Sequence, residues 1–222
     1  PGKVLRVLVR PGDEVQARSM VAKIVRHGAA AGGVRNALFV ADTAVASNFA
    51  YQNRELQKLL PASVSVSSAE AGKLGDAATK KMILDAVTGG VDLVHYSGHG
   101  TIDHWRGNVL SVEDVASMRN DTRLPVVTVA NCLTGIFQEP LMDGLGEALV
   151  AAPDAGAVAV WGSSGTTGVP GQETLMTEFM KALFGESGGT IGEAARRAKA
   201  TVDDPDVRST WILLGDPATR VR

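Results

Sequence analysis

The chain has 222 residues and a formal net charge of −2, and 45% of its residues are hydrophobic. This length and composition suffice for one domain with a substantial core, and the charge gives no electrostatic reason to expect a nucleic-acid partner. Charged residues and glycines interrupt every apolar run well before the ~18 residues that a membrane span requires, so no membrane span is expected.

The amino-terminal residues 1–30 contain a predicted edge strand of mixed polarity at 3–10 and a helix at 14–27. The chain begins at Pro1 rather than at a methionine. We therefore interpret residues 1–30 as the remnant of a longer amino-terminal region, and we expect a pro-segment or a companion domain before them.

From residue 36 onward, apolar strands alternate with amphipathic helices. The strands are predicted at residues 37–41, 64–66, 91–97, 124–130, 157–161 and 210–214, and the helices at 48–60, 76–87, 141–152, 173–183 and 191–202. Strands that are apolar throughout and alternate with helices are typical of a parallel sheet covered on both faces. The sequence therefore predicts one α/β domain over residues 1–222, with a mostly parallel central sheet of about six strands.

Two of the predicted strands end on residues that can perform covalent catalysis. The strand at 91–97 runs into Gly98-His99-Gly100, and the strand at 124–130 runs into Asn131 and Cys132. The separation of 33 residues between the histidine and the cysteine (132 − 99) suffices for one crossover connection, which makes the two strands parallel neighbours. Ligands bind outside the carboxyl ends of such strands, so the imidazole and the thiol are expected to face one site as base and nucleophile.

Cys132 is the only cysteine of the chain, which excludes an internal disulfide without deciding the compartment. A lone cysteine is often a small buried hydrophobic residue. Its position at a strand end, opposite a histidine bracketed by glycines, instead favours a nucleophile.

The other histidines do not form a metal-binding pattern. His95 lies inside a predicted strand and His99 in a glycine turn, so their spacing is not that of two ligands on a helix, and Cys132 would be the only sulfur ligand. We predict that His95 is a packed or hydrogen-bonded residue, and we expect neither metal ligands nor a cofactor.

The blocks His95-Tyr96-Ser97-Gly98-His99-Gly100 and Ala130-Asn131-Cys132 resemble the catalytic pattern of the gingipain-type cysteine peptidases, in the clan of caspases, legumain and separase. Trp105, Gly171-Gln172 and residues 210–217 are also similar to that family, so the resemblance covers nearly the whole chain. It implies a caspase-like three-layer α/β/α sandwich, a dyad of His99 and Cys132, and a protein or peptide substrate. It also allows a structural calcium ion, although no segment has the oxygen spacing of a calcium loop.

In this interpretation Cys132 attacks a peptide carbonyl as a thiolate and forms an acyl-enzyme, while His99 transfers the proton to the leaving amine. The backbone amides of Gly100 and Cys132 lie on turns at the strand ends and are predicted to form the oxyanion hole. Glycine at position 100 also lets the backbone approach the substrate closely.

The substrate side chain before the scissile bond is expected between loops at the carboxyl ends of the strands. The predicted substrate-binding residues are Asp42, Ala130, Asn131, Ser163, Thr167, Gly168 and Val169. Arginine-specific relatives place an acid near the position of Asn48 or Phe49, and some place an aromatic residue where Val169 stands, so a preference for basic residues cannot simply be transferred. Asp42 could replace that acid or orient His99, and the sequence does not separate these two roles.

Two other functions stay open at the level of sequence. The fold could serve as a non-proteolytic module that binds a peptide in the same cleft, although such a module needs neither the thiol nor the imidazole. The same acyl-enzyme could also support transpeptidase or amidase chemistry. Peptide cleavage, peptide ligation and binding without turnover distinguish these functions.

Overall fold

The structure, a computed structural model, describes residues 13–29, 33–43, 47–121, 123–185 and 189–221. The edge strand predicted at residues 3–10 lies outside these ranges. Within them, the helices are α1 (Asp13–Ala29), α2 (Phe49–Gln57), α3 (Ala71–Leu74), α4 (Asp76–Thr88), α5 (Val112–Ser117), α6 (Leu145–Ala151), α7 (Val169–Phe184), α8 (Ile191–Thr201) and α9 (Pro205–Thr210). The strands are β1 (Asn36–Ala41), β2 (Ser65–Glu70), β3 (Leu93–Ser97), β4 (Val126–Ala130), β5 (Ala159–Ser163) and β6 (Trp211–Leu214). In this part of the chain, no helix combines the length and apolar content needed to cross a bilayer.

The six strands form one sheet in the order β2-β1-β3-β4-β5-β6. β1 to β5 run parallel to their neighbours, and β6 runs antiparallel to β5. The chain passes through α7, α8 and α9 between these two strands, and β6 begins beside the end of β5, where Trp211 pairs with Ser163. The predicted sheet of about six mostly parallel strands is confirmed.

Two apolar clusters cover the two faces of this sheet. The first includes Phe39, Trp161, Phe179, Met180 and Trp211, and the second includes Leu38, Tyr96, Trp105, Leu145 and Leu149. Successive residues of β1 enter opposite clusters because side chains alternate across a strand. Helices α7 and α8 cover the first face, and α4, α5 and α6 cover the second, which confirms the predicted three-layer sandwich.

β3 and β4 are parallel neighbours, as predicted. Their register pairs Ser97 with Ala130, and the amide of Gly98 donates to the carbonyl of Ala130 at 3.1 Å. The loops that follow the two strands therefore begin side by side at the same level of the sheet.

Several element boundaries differ from the sequence predictions; β2, for example, predicted at 64–66, spans Ser65–Glu70. The helix predicted from residue 141 begins only at Leu145, because the Glu147 carboxylate accepts the Gly144 amide at 3.1 Å and closes the first turn there. The helix predicted from residue 173 begins at Val169, since Pro170 is tolerated in a first turn whose amides need no helical partner. β5 begins two residues later than predicted.

Lys23 attaches α1 to the end of α6. Its side chain is 1% exposed, and its ammonium donates to the carbonyls of Leu149, Val150, Ala152 and Ala155 at distances from 2.7 to 3.3 Å. Carbonyls at the carboxyl end of a helix lack helical donors and carry partial negative charge, which favours a cation there. One side chain therefore caps α6 and holds α1 in place.

Candidate active site

The His99 turn is held by backbone contacts on both sides of the imidazole. The His99 amide donates to Asp42 Oδ2 at 3.1 Å, and the His99 carbonyl accepts from the Tyr96 hydroxyl at 2.8 Å and from the Arg106 amide at 2.9 Å. Burial raises the pKa of Tyr96 well above its usual range, so the hydroxyl keeps the proton that it donates. The imidazole is exposed and packs edge-on against Phe49, with 5.4 Å between ring centroids.

The Asp42 carboxylate supports this turn from the interior. It is 1% exposed and accepts hydrogen bonds from the amides of Thr43 and His99 and from the Arg106 guanidinium, the last at 2.9 Å. The hydrogen bond to Asp42 raises the pKa of Arg106. Of the two roles predicted for Asp42, these contacts favour orientation of the His99 turn, while a role in substrate binding stays a prediction that they do not support.

Cys132 lies half-buried at the end of β4, and its thiol donates to the Thr167 carbonyl at 3.8 Å. The next residue, Leu133, has a φ of 66°, in the left-handed region that a branched side chain rarely adopts. The Leu133 amide donates to the Gly165 carbonyl at 3.3 Å, and the Thr134 amide donates back to the Cys132 carbonyl at 2.9 Å. This tight turn presents the thiol beside the loop that follows β5.

The loop after β5 is itself fixed by Thr210, the residue that precedes β6. The Ser163 hydroxyl donates to the Gly165 carbonyl at 3.0 Å and lies 3.0 Å from the Thr210 hydroxyl. The Ser164 amide donates to the Thr210 carbonyl at 2.9 Å. Thr210 ends α9 immediately before β6, so the Cys132 turn, the β5 loop and the start of β6 form one connected layer.

The turns that carry the histidine and the cysteine touch through Gly100 and Asn131. A Cβ at Gly100 would lie 2.1 Å from Asn131 Nδ2 and 3.2 Å from the Cys132 carbonyl oxygen, so only glycine fits. Asn131 is 0% exposed, and its Nδ2 donates to Thr134 Oγ1 at 2.9 Å. The same hydroxyl oxygen accepts from Trp105 Nε1 at 3.2 Å. The two turns are therefore packed against each other.

A cavity of about 230 Å³ lies between α2 and α7, next to these turns. Ser97 and Ala130, each two residues before a candidate of the dyad, line it, and Met176 adds an apolar surface. Glu55 of α2 and Glu173 of α7 also line it. The cavity therefore adjoins the turns of His99 and Cys132, and its charged lining residues are both acidic.

The two carboxylates of the cavity differ in their contacts. Glu55 pairs with Lys58 at 2.7 Å, but the two side chains are 44% and 67% exposed. Solvent screens this ion pair, so it contributes little to the stability of the fold. Glu173 accepts a hydrogen bond from Gln52 Nε2 across the cavity. Glu55 therefore faces a cation, and Glu173 faces a neutral amide.

The structure distributes the predicted substrate-binding residues over several positions. Ala130 lines the cavity, Thr167 contacts the thiol through its carbonyl, Gly168 precedes α7 as its cap, Val169 begins α7 half-buried, and Asn131 and Ser163 are 0% exposed. The side chains of Asn131 and Ser163 therefore support the turns and do not line the cavity, and a role of these residues in substrate binding stays a prediction.

Glu55 and Glu173 are absent from the residues predicted from sequence. Glu55 precedes the buried Leu56, and Glu173 lies two residues before the buried Leu175, so each is an acid beside the buried face of a helix. This position beside a buried helix face is the signal that the sequence offers for these two acids. It does not identify a cavity, because the cavity exists only where α2 and α7 pack together.

His95 is fully buried and hydrogen-bonded, as predicted. Its Nε2 lies 2.9 Å from Ser97 Oγ and its Nδ1 lies 2.8 Å from Thr128 Oγ1, while Ser97 Oγ donates to Asn53 Oδ1 at 2.7 Å. Burial lowers the pKa of His95 to about 3, so the ring is neutral. Because Ser97 gives its own proton to Asn53, it accepts the proton of His95 Nε2, and this chain of hydrogen bonds fixes a residue that lines the cavity.

Calcium prefers a shell of several carboxylate and carbonyl oxygens. Within the described ranges, no three side chains of histidine, cysteine, aspartate or glutamate are grouped closely enough to hold a metal ion. The calcium ion that the resemblance allows therefore has no such cluster of side chains within the described ranges.

Residues 6–222 match the profile of Peptidase family C25. The chain belongs to this family. This C25 chain is 32% identical over 161 residues to gingipain R2 of Porphyromonas gingivalis, a match that covers 65% of the chain and 21% of that protein. A gingipain R1 of the same organism is also 32% identical over 161 residues, covering 65% of the chain and 16% of that protein. The chain thus spans about a fifth or less of the length of these curated relatives.

Solved structures share the fold of this C25 chain. The crystal structure of the Arg specific cysteine proteinase gingipain R (RGPB) superposes with a TM-score of 0.78 at 20% identity, over 93% of this chain and 52% of that one. The complex of P. gingivalis RgpB pro- and mature domains gives a TM-score of 0.77 at 19% identity, over 92% and 53%. These superpositions confirm the gingipain-type, caspase-like architecture that the resemblance implies.

Proposed function

We propose that this C25 chain is a cysteine endopeptidase in which Cys132 is the nucleophile and His99 is the general base and acid. One observation carries the proposal: the turns of these two residues leave neighbouring parallel strands at the same level and pack together beside an acidic cavity. A thiol and an imidazole at such strand ends can act as nucleophile and base. Membership of a peptidase family and likeness to a cysteine proteinase support the same reaction.

The reaction proceeds through a thioester. His99 removes the proton of the Cys132 thiol, and the thiolate attacks the scissile carbonyl carbon, whose π electrons move to its oxygen. Collapse of this tetrahedral oxyanion breaks the carbon–nitrogen bond, and His99 gives its proton to the leaving amine. A water molecule that His99 deprotonates then attacks the thioester, which releases the new carboxylate and restores the thiol.

The amides of Gly100 and Cys132 would stabilise the oxyanion. Neither amide donates a hydrogen bond to any residue of the described ranges. Hydrogen bonds on either side of Gly100, from the amides of Thr101 and Arg106 at 2.9 Å each, hold the turn and leave the Gly100 amide unpaired. Unpaired N–H groups held in advance at strand ends suit an oxygen that becomes negative only in the transition state.

The acidic cavity leads us to propose arginine or lysine as the residue before the scissile bond. Such a side chain can bury its methylene groups against Met176 and bring its charge towards Glu55 and Glu173. The solved gingipain R is an Arg specific cysteine proteinase, which supports the same substrate class. Here, however, one acid, Glu55, lies further along α2 than Asn48 or Phe49, and the other, Glu173, lies on α7.

The first experiment is cleavage of a positional-scanning library of fluorogenic peptides by wild type, Cys132→Ala and His99→Ala. We expect cleavage after arginine or lysine, and a loss of about 10³-fold or more in kcat in each variant. Ligated products formed with an added amine would replace the proposal by acyl transfer. Peptide binding without products, from folded protein, would replace it by a binding module.

Glu173→Gln and Glu55→Gln test the cavity separately from the dyad. We expect Glu173→Gln to lower kcat/KM for peptides with arginine at the cleaved position by about tenfold or more, with little change for neutral residues. Glu178→Gln is the matched control, because Glu178 lies on the same helix and pairs with Lys181 at 2.8 Å instead of lining the cavity. Equal arginine preference in all three variants would reject the cavity as the specificity site and leave the dyad proposal intact.

A further inference from the structure

Asn131 is fully buried immediately before the nucleophile and has an unsatisfied polar atom. Its Nδ2 donates to Thr134 Oγ1 at 2.9 Å, whereas its Oδ1 has no hydrogen-bond partner in the described part of the chain. A buried acceptor without a donor lowers the stability of a fold. If the position served packing alone, an apolar side chain of similar size would serve it better, so the planar amide calls for another explanation.

The Asn131 amide lies directly against Gly100. A Cβ at Gly100 would stand 2.1 Å from Asn131 Nδ2 and 3.0 Å from Asn131 Cγ, so the Gly100 backbone rests on this side chain. The carbonyl carbon of Asn131 is bonded to the nitrogen of Cys132. The Asn131 side chain therefore contacts Gly100, whose amide is the first proposed oxyanion donor. The backbone carbonyl of Asn131 forms the peptide bond with the second proposed donor, the Cys132 amide.

The Asn131 side chain is anchored to the interior of the His99 turn. Its partner, Thr134 Oγ1, also accepts from Nε1 of Trp105, which is 0% exposed. The Trp105 ring stacks on Tyr96 with 4.2 Å between centroids, and the Tyr96 hydroxyl donates to the His99 carbonyl at 2.8 Å. The Thr134 hydroxyl that accepts from the Asn131 amide therefore has a second donor, Trp105, on the side of the His99 turn.

We propose that Asn131 is a positioning residue that sets the separation of the Gly100 and Cys132 amides for the oxyanion. The inference rests on the cysteine peptidase function proposed above. Donors stabilise an oxyanion when they lie about 2.7–3.1 Å from it, so a spacer between two donors acts on the transition state more than on substrate binding. Its polar contact goes to Thr134, not to the imidazole, so it leaves the proton transfer between thiol and imidazole unchanged.

Asn131→Ala and Asn131→Leu test this role, with Asn120→Ala as the matched control. Asn120 is also a buried asparagine, 3% exposed, and its side chain binds the Gly156 carbonyl at 2.8 Å and the Gly156 amide at 2.9 Å. Gly156 precedes β5, so this contact lies near the amino-terminal end of that strand, whereas the dyad follows the carboxyl ends of β3 and β4. Asn120→Ala therefore reports the effect of losing a buried amide away from the site.

We expect kcat for the best library peptide to fall by about 10- to 100-fold in both Asn131 variants, with KM within about threefold. Alkylation of Cys132 by iodoacetamide is a displacement at carbon that forms no oxyanion, so its rate should stay within about twofold of wild type. Asn120→Ala should lower the Tm while kcat, measured where all variants are folded, stays at the wild-type value.

Several outcomes would overturn the inference. Unchanged kcat in folded Asn131→Leu would do so, and so would an equal loss of the alkylation rate, which would place the effect on the thiol and imidazole. If neither Asn131 variant folds, Gly100→Ala makes the same test from the other side, because its methyl group meets Asn131 Nδ2; unchanged kcat there would also reject the spacer. Wild type that is alkylated at Cys132 but cleaves no peptide would overturn the peptidase function itself, and the inference with it.

Discussion

At the scale of single residues, the site is shaped by buried polar groups that lie behind the dyad. Asp42 accepts hydrogen bonds from the His99 amide and the Arg106 guanidinium. His95 is hydrogen-bonded to Ser97, which lines the cavity. In the proposed function, these side chains can affect turnover without contacting a substrate, because each fixes the His99 turn or the cavity wall. Substituting these residues should therefore change stability and reaction rate without changing which residue is preferred before the scissile bond.

Asp42→Asn removes the charge that faces Arg106 and keeps an oxygen for the His99 amide. We expect the free energy of unfolding to fall by about 1–3 kcal/mol, because a buried charge-assisted hydrogen bond weakens. We also expect kcat to fall while the preferred residue before the scissile bond is unchanged. Urea denaturation and the peptide library measure the two effects, and a changed preference would make Asp42 the acid of the specificity site after all.

His95 gives the fold a defined dependence on pH. Its pKa is about 3 in the folded protein against an ordinary 6.5, so between these pH values the unfolded chain binds more protons than the folded one. The stabilisation is fully present above pH 6.5 and is lost as the pH falls towards 3. Urea denaturation should therefore give a steeper loss of unfolding free energy below pH 6.5 in wild type than in His95→Gln, and equal slopes would contradict a buried neutral imidazole.

At the scale of secondary structure elements, the strands could be predicted because their signal is local. Short runs of mostly apolar residues mark β1, β3 and β4, and the glycines around His99 mark where β3 ends. The start of α6 could not be predicted, because Leu141 and Met142 continue the apolar pattern of the helix although they are 91% and 43% exposed. The contact between Gly144 and Glu147 decides that boundary, and a hydrophobic pattern does not contain it.

Lys23→Met should detach α1 from α6. The variant keeps most of the apolar stem but leaves the carbonyls of Val150, Ala152 and Ala155 without the ammonium, while Leu149 keeps only the Ala157 amide. We expect the free energy of unfolding to fall by about 2–3 kcal/mol in urea denaturation. Lys81→Met is the control, since Lys81 is 75% exposed and pairs with Asp85 on the surface, and a similar loss in both variants would reject the capping role.

At the scale of the whole molecule, the cavity illustrates what the sequence cannot supply. Glu55 and Glu173 stand 118 residues apart (173 − 55) on helices that meet only after both have packed on the same face of the sheet. The proximity of the His99 and Cys132 turns could be predicted because adjacent parallel strands bring their carboxyl ends together. No comparable rule fixes how two helices on that face orient their acids.

Three tryptophans report separately on the two faces of the sheet. Trp105 lies in one apolar cluster, and Trp161 and Trp211 lie in the other. Because both clusters share one sheet, we expect them to unfold in a single transition. Fluorescence of Trp105→Phe and of the double variant Trp161→Phe/Trp211→Phe should each give the urea midpoint measured by circular dichroism of the same variant, and divergent midpoints would mean that the faces unfold separately.

The layer that supports Cys132 depends on residues that the ribosome adds much later. Through Gly165 and Ser164 the nucleophile turn is tied to Thr210, and β6 begins 79 residues after the thiol (211 − 132). A nascent chain that stops before β6 carries both members of the dyad without this support. We therefore expect the order of synthesis to delay proteolysis during translation, so that ribosome-bound chains ending before Trp211 release no fluorogenic product while the finished chain does.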